Sequence, residues 1–295
     1  MALKVEPGPL LSARTTLKLG GRALAEVVFD RAEDAHSLGE TLARLGGTPL
    51  ALGGGSNLLA RDGELPLVLV RPMLRDEPRV LPDRPEGRVR VRCGAGVKLQ
   101  RLAAWLATQG LSGLGGLIGV PGSVGGAVAG NAGSYGDAMG TILARVRLWT
   151  PDRGLFWAGR EALDIGYRRF VVPGVHGFYL VLEAEFDCEV REPIEIRQEM
   201  IANLKKKRAS QPITAATAGC VFKNPPGEAA WRLLAESGFA GRALGKMAFS
   251  SLHANFLVNL GGGTSREALE LVALAREAVR ERADRQLELE VRVVP

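Results

Sequence analysis

Short runs that alternate apolar and polar residues, separated by helical patterns, make up the N-terminal part of the chain. Residues 25–29, 49–52 and 67–70 are predicted strands, and residues 34–45 have the apolar spacing of a helix. A charged, proline-rich stretch at 72–87 predicts a connector between two subdomains. Strands and helices that follow one another at such short distances are typical of a mixed α and β fold.

Similar patterns continue beyond the connector. Further strands are predicted at 88–93, 143–149, 177–186, 221–222, 256–260 and 287–293, and further helices at 99–109, 193–207 and 229–237. Thr264 and Glu267 form a capping box before a last helix, one face of which is lined by Leu271, Leu274, Ala275 and Ala278. We therefore expect an α+β protein with subdomains at 1–71 and 72–192 and a C-terminal domain at 193–295.

Composition narrows the class of protein. The 295 residues are 46% hydrophobic and 24% charged, as in a soluble globular protein. The net charge of +6 suits small anionic ligands, but it is too diffuse to define a nucleic-acid surface. The basic run 205–208 ends a predicted helix, where cations complement the helix dipole, so we expect a solvated helix end.

Two further features bear on location. Residues 110–136 carry no charge, yet they include eleven glycines and Pro121, which favours buried, ligand-lining loops over a membrane helix. Cys93, Cys188 and Cys220 have neither metal-ligand spacing nor an even number for disulfides, as is typical of a reducing compartment. We expect a cytoplasmic protein without membrane insertion and without a metal site.

Two glycine-rich turns are the most informative motifs, Gly53-Gly54-Gly55-Ser56-Asn57 and Pro121-Gly122-Ser123-Val124-Gly125-Gly126. Glycine adopts positive φ and lets backbone approach a ligand, and successive N–H groups in such turns form anion sites. Two such turns predict a ligand with an extended polyphosphate, and the alternative is a pair of ordinary tight turns. Neither matches the dinucleotide fingerprint or the phosphate loop, so a nucleotide cofactor here is of neither type.

Three other places carry candidate chemistry. Tyr167 and Arg168 combine an aromatic ring with a guanidinium group suited to a carboxylate, although a surface turn has the same composition. Cys220, Lys223 and Asn224 offer a thiol, an ammonium and an amide that can converge on one ligand, although a lone cysteine is often inert core. Glu290 lies on the polar side of the last predicted strand, as a solvated residue also would.

The order of the motifs makes the chain recognisable. They are 15–21, 53–59, 119–126, 131–136, Tyr167-Arg168, 222–225, 253–256 and 290–292. Over nearly the whole chain this order resembles the UDP-N-acetylenolpyruvoylglucosamine reductase family, flavoenzymes of peptidoglycan precursor synthesis. The resemblance implies a two-subdomain FAD-binding fold of the p-cresol-methylhydroxylase type followed by an α+β substrate domain. It also implies non-covalent FAD, NADPH as hydride donor and a UDP-sugar substrate.

The resemblance assigns roles to individual positions. Arg168 would bind the enolpyruvyl carboxylate, Glu290 would stabilise the enol-like intermediate, and Tyr167, Lys223 and Asn224 would belong to the substrate site. The residues implied to hold FAD are Gly53, Gly54, Gly55, Ser56, Asn57, Leu58, Pro121, Gly122, Ser123, Gly125, Gly126, Asn131, Ala132 and Gly133.

This sequence departs from the family pattern in two positions. Cys220 replaces the serine that usually donates a proton, and a thiol with an ordinary pKa of about 8.5 is chemically competent for that step. Ser210 replaces a lysine before Gln211, so a diphosphate contact would have to come from another residue, for which Lys207 and Arg208 are candidates. The short interval between Tyr167 and Cys220 resembles the branch that lacks a substrate-covering loop.

Two other classes of function compete with the reductase. The first is an FAD-dependent alcohol or sugar oxidase on the same scaffold. Many such oxidases tether the flavin through a histidine near a glycine turn, and neither turn has a histidine nearby. The second is a basic nucleic-acid-binding module, but aromatic residues are only 5% of the chain and do not interleave with 205–208. We expect a monomeric enzyme that binds a UDP-sugar and NADPH and no nucleic acid.

Overall fold

The structure, a computed structural model, describes residues 3–83, 85 and 87–295. The described helices are α1 Leu38–Leu45, α2 Leu99–Thr108, α3 Val124–Ala129, α4 Met139–Ile142, α5 Pro193–Ser210, α6 Ala230–Glu236 and α7 Ser265–Ala283. Short 3-10 helices are formed by Leu11–Ala13, Ala32–Ser37, Gly115–Leu117 and Arg160–Ala162. No described helix is both long enough and apolar enough to cross a lipid bilayer.

The described strands are numbered in chain order. The first nine are β1 Lys4–Pro7, β2 Arg22–Phe29, β3 Thr48–Ala51, β4 Leu58–Ala60, β5 Glu64–Pro72, β6 Arg79–Val80, β7 Arg88–Gly94, β8 Gly133–Ser134 and β9 Asp137–Ala138. The next five are β10 Leu143–Thr150, β11 Gly154–Gly159, β12 Asp164–Gly166, β13 Arg169–Val171 and β14 Leu180–Glu189. The last five are β15 Ala216–Cys220, β16 Ala243–Leu244, β17 Met247–Phe249, β18 Phe256–Asn259 and β19 Arg292–Val294.

The chain forms two compact units, each assembled from separate segments. Unit 1 is formed by the described residues within Met1–Pro7, Ala25–Gly54 and Leu67–Lys206. Unit 2 is formed by Gly8–Leu24, Gly55–Pro66 and Lys207–Pro295. The predicted division at 71/72 and 192/193 concerns smaller subdomains and stays a prediction. Residues 84 and 86 of the predicted connector lie outside the described residues.

Unit 1 is built around two sheets. The first has the order β1-β2-β5-β3, with β1 antiparallel to β2 and β3 parallel to β5. The second has the order β11-β10-β14-β7-β6 and is antiparallel throughout. Leu102, Leu106, Val128, Val146 and Phe186 belong to the core that joins the second sheet with α2 and α3. This core supports the glycine-rich segment that contains α3.

Glu185 is the centre of a buried charge cluster on the second sheet. Its carboxylate is fully buried and lies 2.6 Å from Nη2 of Arg92 and 2.6 Å from Nε of Arg145. Both guanidinium groups also lie over the ring of Trp157, at 5.1 and 4.7 Å from its centroid. Burial alone would raise the pKa of Glu185, but hydrogen bonds and charge from the two arginines outweigh it and lower that pKa.

Unit 2 packs α6 and α7 against an antiparallel sheet of order β15-β18-β17-β16. A parallel pair, β4 with β19, belongs to the same unit. Phe222, Phe239 and Phe249 are in its core, together with Leu17 and Leu19 from the N-terminal segment. Residues far apart in sequence therefore share one core.

Most predicted elements are confirmed, including the capping box of α7. The Thr264 hydroxyl accepts from the N–H of Glu267 at 3.2 Å, and the Glu267 carboxylate accepts from the N–H of Thr264 at 2.9 Å. The prediction was wrong for Leu274, which is exposed, because the buried stripe of α7 follows Ala268, Leu271, Val272, Ala275 and Val279. Ala278, also assigned to that face, is only half-buried.

Several segments differ from the prediction. Residues 34–37 belong to a 3-10 turn, because Asp, His and Ser favour local turns over a regular helix. Val221 and Phe222 follow β15 rather than forming a strand of their own, and Phe222 only bridges to Leu289. Residues 287–293 form a regular strand only from Arg292. The uncharged segment 110–136 contains α3 as well as loops.

Candidate active site

The two predicted glycine turns meet at their backbones in unit 1. A Cβ atom added to Gly53 would lie 2.3 Å from Oγ of Ser123, and one added to Gly54 would lie 2.7 Å from Cα of Gly122. Gly122 itself has a φ of +118°. Side chains at these positions would fill the space between the segments, so glycine here keeps a narrow backbone cradle open.

The rest of the second turn is fixed by its own hydrogen bonds. The N–H of Gly125 donates to the Ala95 carbonyl at 2.9 Å, and a Cβ at Gly125 would lie 2.7 Å from Cβ of Ala95. The Ser123 hydroxyl caps α3 by accepting from the N–H of Gly126 at 3.4 Å. Gly125 thus serves close packing, and Pro121, which precedes this turn, is exposed.

Asn131 connects the 131–133 segment to the turn that carries Arg168. Its Nδ2 donates to the Gly166 carbonyl at 2.7 Å, and its Oδ1 accepts from the N–H of Gly140 at 2.8 Å. Asn131 is buried and has a φ of +40°, a conformation that asparagine tolerates better than most residues. Its side chain therefore holds the backbone immediately before Tyr167.

Arg168 occupies the tight turn between β12 and β13, with a φ of +52°. It is half-buried, and its Nη1 would lie 3.5 Å from a Cβ built on Gly133. Its guanidinium carbon is 5.2 Å from the ring centroid of the exposed Tyr167. Arg169 is exposed and bonded to Asp164, which lowers the pKa of that carboxyl, so the two adjacent arginines have different surroundings. Ala132 is half-buried and accepts at its carbonyl from the N–H of Met139 at 2.9 Å.

In unit 2 the second half of the first glycine turn reaches Glu290. Gly55 has a φ of +62°, and a Cβ there would lie 2.0 Å from the Arg14 carbonyl oxygen. Asn57 donates from Nδ2 to the Glu290 carbonyl at 3.1 Å, and its own carbonyl accepts from the N–H of Arg292 at 3.0 Å. Ser56 lies half-buried between them, and the buried Leu58 begins β4.

Cys220 ends β15 and lies next to the Glu290 segment. The carbonyl of Val221, the following residue, accepts from the N–H of Glu290 at 2.8 Å. The pairing of β15 with β18 is irregular between Thr217 and Cys220, where Gly219 has a φ of +81°. Cys220 and Glu290 are both half-buried. Cys93 and Cys188 differ, since burial raises the pKa of each thiol to about 12.

The remaining predicted residues have surface or structural contacts. Lys223 binds the exposed Glu288 with 3.2 Å between Nζ and Oε2, and Asn224 accepts at Oδ1 from the N–H of Ala230, the first residue of α6, at 3.0 Å. The prediction of a wholly solvated helix end was wrong for Lys207. That side chain is 1% exposed, and burial lowers its pKa to about 8, whereas Arg208 is exposed.

Sequence reasoning missed Asn255 as a positioning group. This residue is 1% exposed, and its amide bonds both backbone groups of Phe222: Oδ1 accepts from the N–H at 2.9 Å and Nδ2 donates to the carbonyl at 2.8 Å. Its carbonyl also accepts from the N–H of Val221 at 2.8 Å. An asparagine inside the apolar run 254–258 was the available signal, because buried amides need partners.

Comparison with known proteins identifies the class. Residues 27–158 match the family described as FAD binding domain, and residues 211–294 match the C-terminal domain of UDP-N-acetylenolpyruvoylglucosamine reductase. These matches define a flavoprotein oxidoreductase, and the α+β fold class predicted from the sequence is confirmed.

Full-length relatives identify the family. The chain is 50% identical to the UDP-N-acetylenolpyruvoylglucosamine reductase of Oleidesulfovibrio alaskensis over 98% of this chain and 97% of that protein. It is also 50% identical to the enzyme of the same name from Nitratidesulfovibrio vulgaris, over 99% of both chains. The crystal structure of the reductase from Thermus caldophilus aligns with a TM-score of 0.82 and 34% identity, over 99% of this chain and 100% of that one. This chain belongs to the UDP-N-acetylenolpyruvoylglucosamine reductase family.

Proposed function

We propose that the protein is an FAD-containing, NADPH-dependent reductase of UDP-N-acetylglucosamine enolpyruvate that forms UDP-N-acetylmuramate for peptidoglycan. The observation that carries this proposal is full-length similarity to the named reductases, together with glycine positions where a Cβ would fill the cradle. The oxidase alternative is not favoured, because these relatives share the whole chain. Free cysteines among the described residues support a reducing cytoplasm, and we propose a monomer.

The cofactor-binding residues would act mainly through their backbones. We assign the FAD pyrophosphate to the turns that contain Gly53–Leu58 and Pro121–Gly126, with residues 131–133 lining the flavin. The close approach at Gly53, Gly54 and Gly122 supports this assignment, because phosphate oxygens need N–H donors free of side-chain obstruction. When bound, FAD supplies a hydride carrier between NADPH and C3 of the enolpyruvyl group.

Arg168 would hold the substrate carboxylate. As hydride reaches C3, negative charge develops on C2 and on the carboxylate, and a fixed guanidinium is most stabilising at that moment. The left-handed turn conformation of Arg168 and the buried clamp at Gly166 support a fixed position. Tyr167 would line the same substrate, and Lys223 and Asn224 would contact the UDP-sugar. A diphosphate contact from Arg208 is favoured over one from Lys207, because Arg208 is exposed.

Cys220 would donate the proton that completes the reaction. Its S–H bond breaks as a C–H bond forms at C2, and the resulting thiolate takes a proton from solvent. Glu290, adjacent through the Val221 carbonyl, would stabilise the enol-like state that precedes this transfer. A half-buried thiol on a strand end fits this role better than the two fully buried cysteines, because a general acid must reach its substrate.

The test separates the two half-reactions by stopped flow under anaerobic conditions. The purified protein should show flavin absorption, and acid should release FAD. NADPH should bleach the flavin of Cys220→Ala at a near-normal rate, whereas the enolpyruvyl substrate should fail to reoxidise it. Cys220→Ser should retain substantial activity. A colourless protein that cannot take up FAD would contradict the flavoenzyme assignment, and normal reoxidation in Cys220→Ala would contradict the donor role alone.

A further inference from the structure

The motif at residues 15–21 contributes to the family resemblance but has no role in the chemistry above. In unit 2 it is a rigid segment anchored along its length. The N–H of Gly21 donates to the Arg61 carbonyl at 2.7 Å, and a Cβ at Gly21 would lie 1.8 Å from the Gly63 carbonyl oxygen. Asn259 donates from Nδ2 to the Leu17 carbonyl at 3.1 Å. Residues 15–21 are therefore held in a fixed position.

Thr16, which belongs to this segment, bonds both the first glycine turn and β15. Its N–H donates to the Gly55 carbonyl at 3.1 Å. Its hydroxyl donates to the Thr217 carbonyl at 2.6 Å and also approaches the Gly55 carbonyl at 3.5 Å. Thr16 is half-buried, so both bonds are partly shielded from water. Thr16 thus connects the first glycine turn to β15 by hydrogen bonds.

Both bonding partners of Thr16 lie close in sequence to a proposed site residue. Gly55 precedes Ser56 and Asn57, and Asn57 bonds the Glu290 carbonyl. Thr217 is the last residue of β15 with regular pairing before the irregularity that ends at Cys220. The register shifts between Thr217 and Cys220, and pairing resumes at Cys220 opposite Phe256, so the bond from Thr16 to Thr217 adds a further constraint on the position of Cys220.

We propose that Thr16 is a positioning residue that fixes Cys220 relative to the Gly55–Asn57 turn through its hydroxyl bond to Thr217. This inference rests on the proposed function, in which Cys220 is the proton donor. Thr16 would act through Cys220 and not on the substrate directly. Its effect is on the geometry of proton transfer and on the accessibility of the Cys220 thiol.

Thr16→Val removes the hydroxyl at nearly constant volume, Thr16→Ser keeps it, and Thr16→Ala is a second deletion if the valine variant does not fold. Thr15→Val is the matched control. The Thr15 hydroxyl donates to the Leu19 carbonyl at 2.9 Å, so it makes the same kind of bond inside the motif without reaching β15. Each variant is purified with its FAD, and both half-reactions are measured.

Loss of one such hydrogen bond should slow substrate reoxidation of the reduced flavin about tenfold in Thr16→Val, with bleaching by NADPH changed less than about threefold. Thr16→Ser should restore reoxidation to within about threefold of the wild type. A second readout does not depend on turnover. Iodoacetamide should alkylate Cys220 several-fold faster in Thr16→Val than in the wild type or Thr15→Val, as measured by mass spectrometry.

The outcomes separate this inference from the proposed function. Unchanged reoxidation and unchanged alkylation in Thr16→Val, with Cys220→Ala inactive toward substrate, would overturn the positioning role and leave the donor role intact. Equal losses in Thr16→Val and Thr15→Val would overturn it as well, since they would show a general loss of stability. Normal reoxidation in Cys220→Ala would remove the donor role, and with it this inference.

Discussion

The Arg168 turn in unit 1 and the Cys220 segment in unit 2 hold their functional side chains by different means. The Arg168 turn closes the paired strands β12 and β13, and the buried amide of Asn131 bonds Gly166, which precedes Tyr167, and also Gly140. The Cys220 segment is held from several directions, by Asn255, by the Glu290 backbone and by Thr16. Both segments leave regular secondary structure at the functional residue. Removing the Asn131 amide therefore tests a side-chain contact of the Arg168 turn, and removing the Asn255 amide tests one of several described contacts of the Cys220 segment.

The largest expected effect concerns Arg168 itself. Arg168→Ala should leave FAD bound and lower the turnover of substrate by a factor of about 10²–10³, as when one preorganised charge stabiliser is removed. Arg169→Ala is the matched control, because Arg169 is exposed and paired with Asp164. Steady-state rates of the two variants decide the point. Equal, near-normal rates in folded proteins would mean that Arg168 is only a turn residue.

Asn131→Asp tests the amide support of the Arg168 turn. It replaces the Nδ2 donor with a carboxylate oxygen that repels the Gly166 carbonyl, and it keeps the acceptor for Gly140, so the bond next to Tyr167 is lost. We expect substrate reoxidation of the flavin to slow about tenfold, and bleaching by NADPH to slow less, since residues 131–133 are also assigned to the flavin. Asn131→Ala should be slower still. If the two half-reactions decline together, the amide supports the fold in general and not Arg168 in particular.

Asn255→Asp makes the same chemical change in the region with several supports. It removes the donor to the Phe222 carbonyl and keeps the acceptor for the Phe222 N–H. We expect a loss of about 1–3 kcal/mol in the free energy of unfolding, because a buried carbonyl is left unpaired. Turnover of the folded fraction should change less than in Asn131→Asp. A fall in turnover as large as that of Asn131→Asp would contradict the expectation that the other contacts of the Cys220 segment keep it in place.

The smallest effect on turnover is expected at Glu185, which lies away from both segments. Because the folded pKa of this carboxyl is lowered, its stabilising contribution is present above the unfolded pKa of about 4.3 and is lost as the pH falls through the folded pKa. Glu185→Gln lacks that contribution. Urea titrations should show a stability difference between the two proteins at pH 7 that shrinks below about pH 4. A difference that is independent of pH would exclude the charge as its cause.

The sequence predicts regular elements better than it predicts their connections. Helices α2, α5, α6 and α7 and strands β10 and β18 were expected within a few residues, because their apolar spacing is set by burial on one face. The tertiary context decided the exceptions. The spacing of Leu274 fits an apolar helical stripe, but this residue lies beside the buried stripe of α7 and is exposed. Lys207 is buried, although the basic run that contains it predicts exposure to solvent.

Candidate site residues were named from glycine content and family resemblance, but the contacts that position them were not predicted. Asn131, Asn255 and Thr16 act through backbone groups 35, 33 and 201 positions away in sequence, and no local pattern reports such partners. The proximity of Asn57 to Glu290 was hidden for the same reason, since 233 positions separate them. Local spacing predicts which residues share a face, whereas these contacts depend on how distant segments pair.

The interleaved assembly of unit 2 sets the order in which this protein can be completed during synthesis. Leu58 in β4 pairs with Arg292 in β19, and Thr16 bonds Thr217, so the N-terminal segments lack their partners until the last residues are made. At about 5–20 residues per second, the time between synthesis of an N-terminal segment and synthesis of its partner is on the order of 10–40 s. Apolar residues such as Leu17 and Leu19 are exposed to chaperones and to aggregation throughout that interval. A nascent chain stalled before residue 207 should therefore contain the segments of unit 1 and none of the C-terminal partners that unit 2 requires.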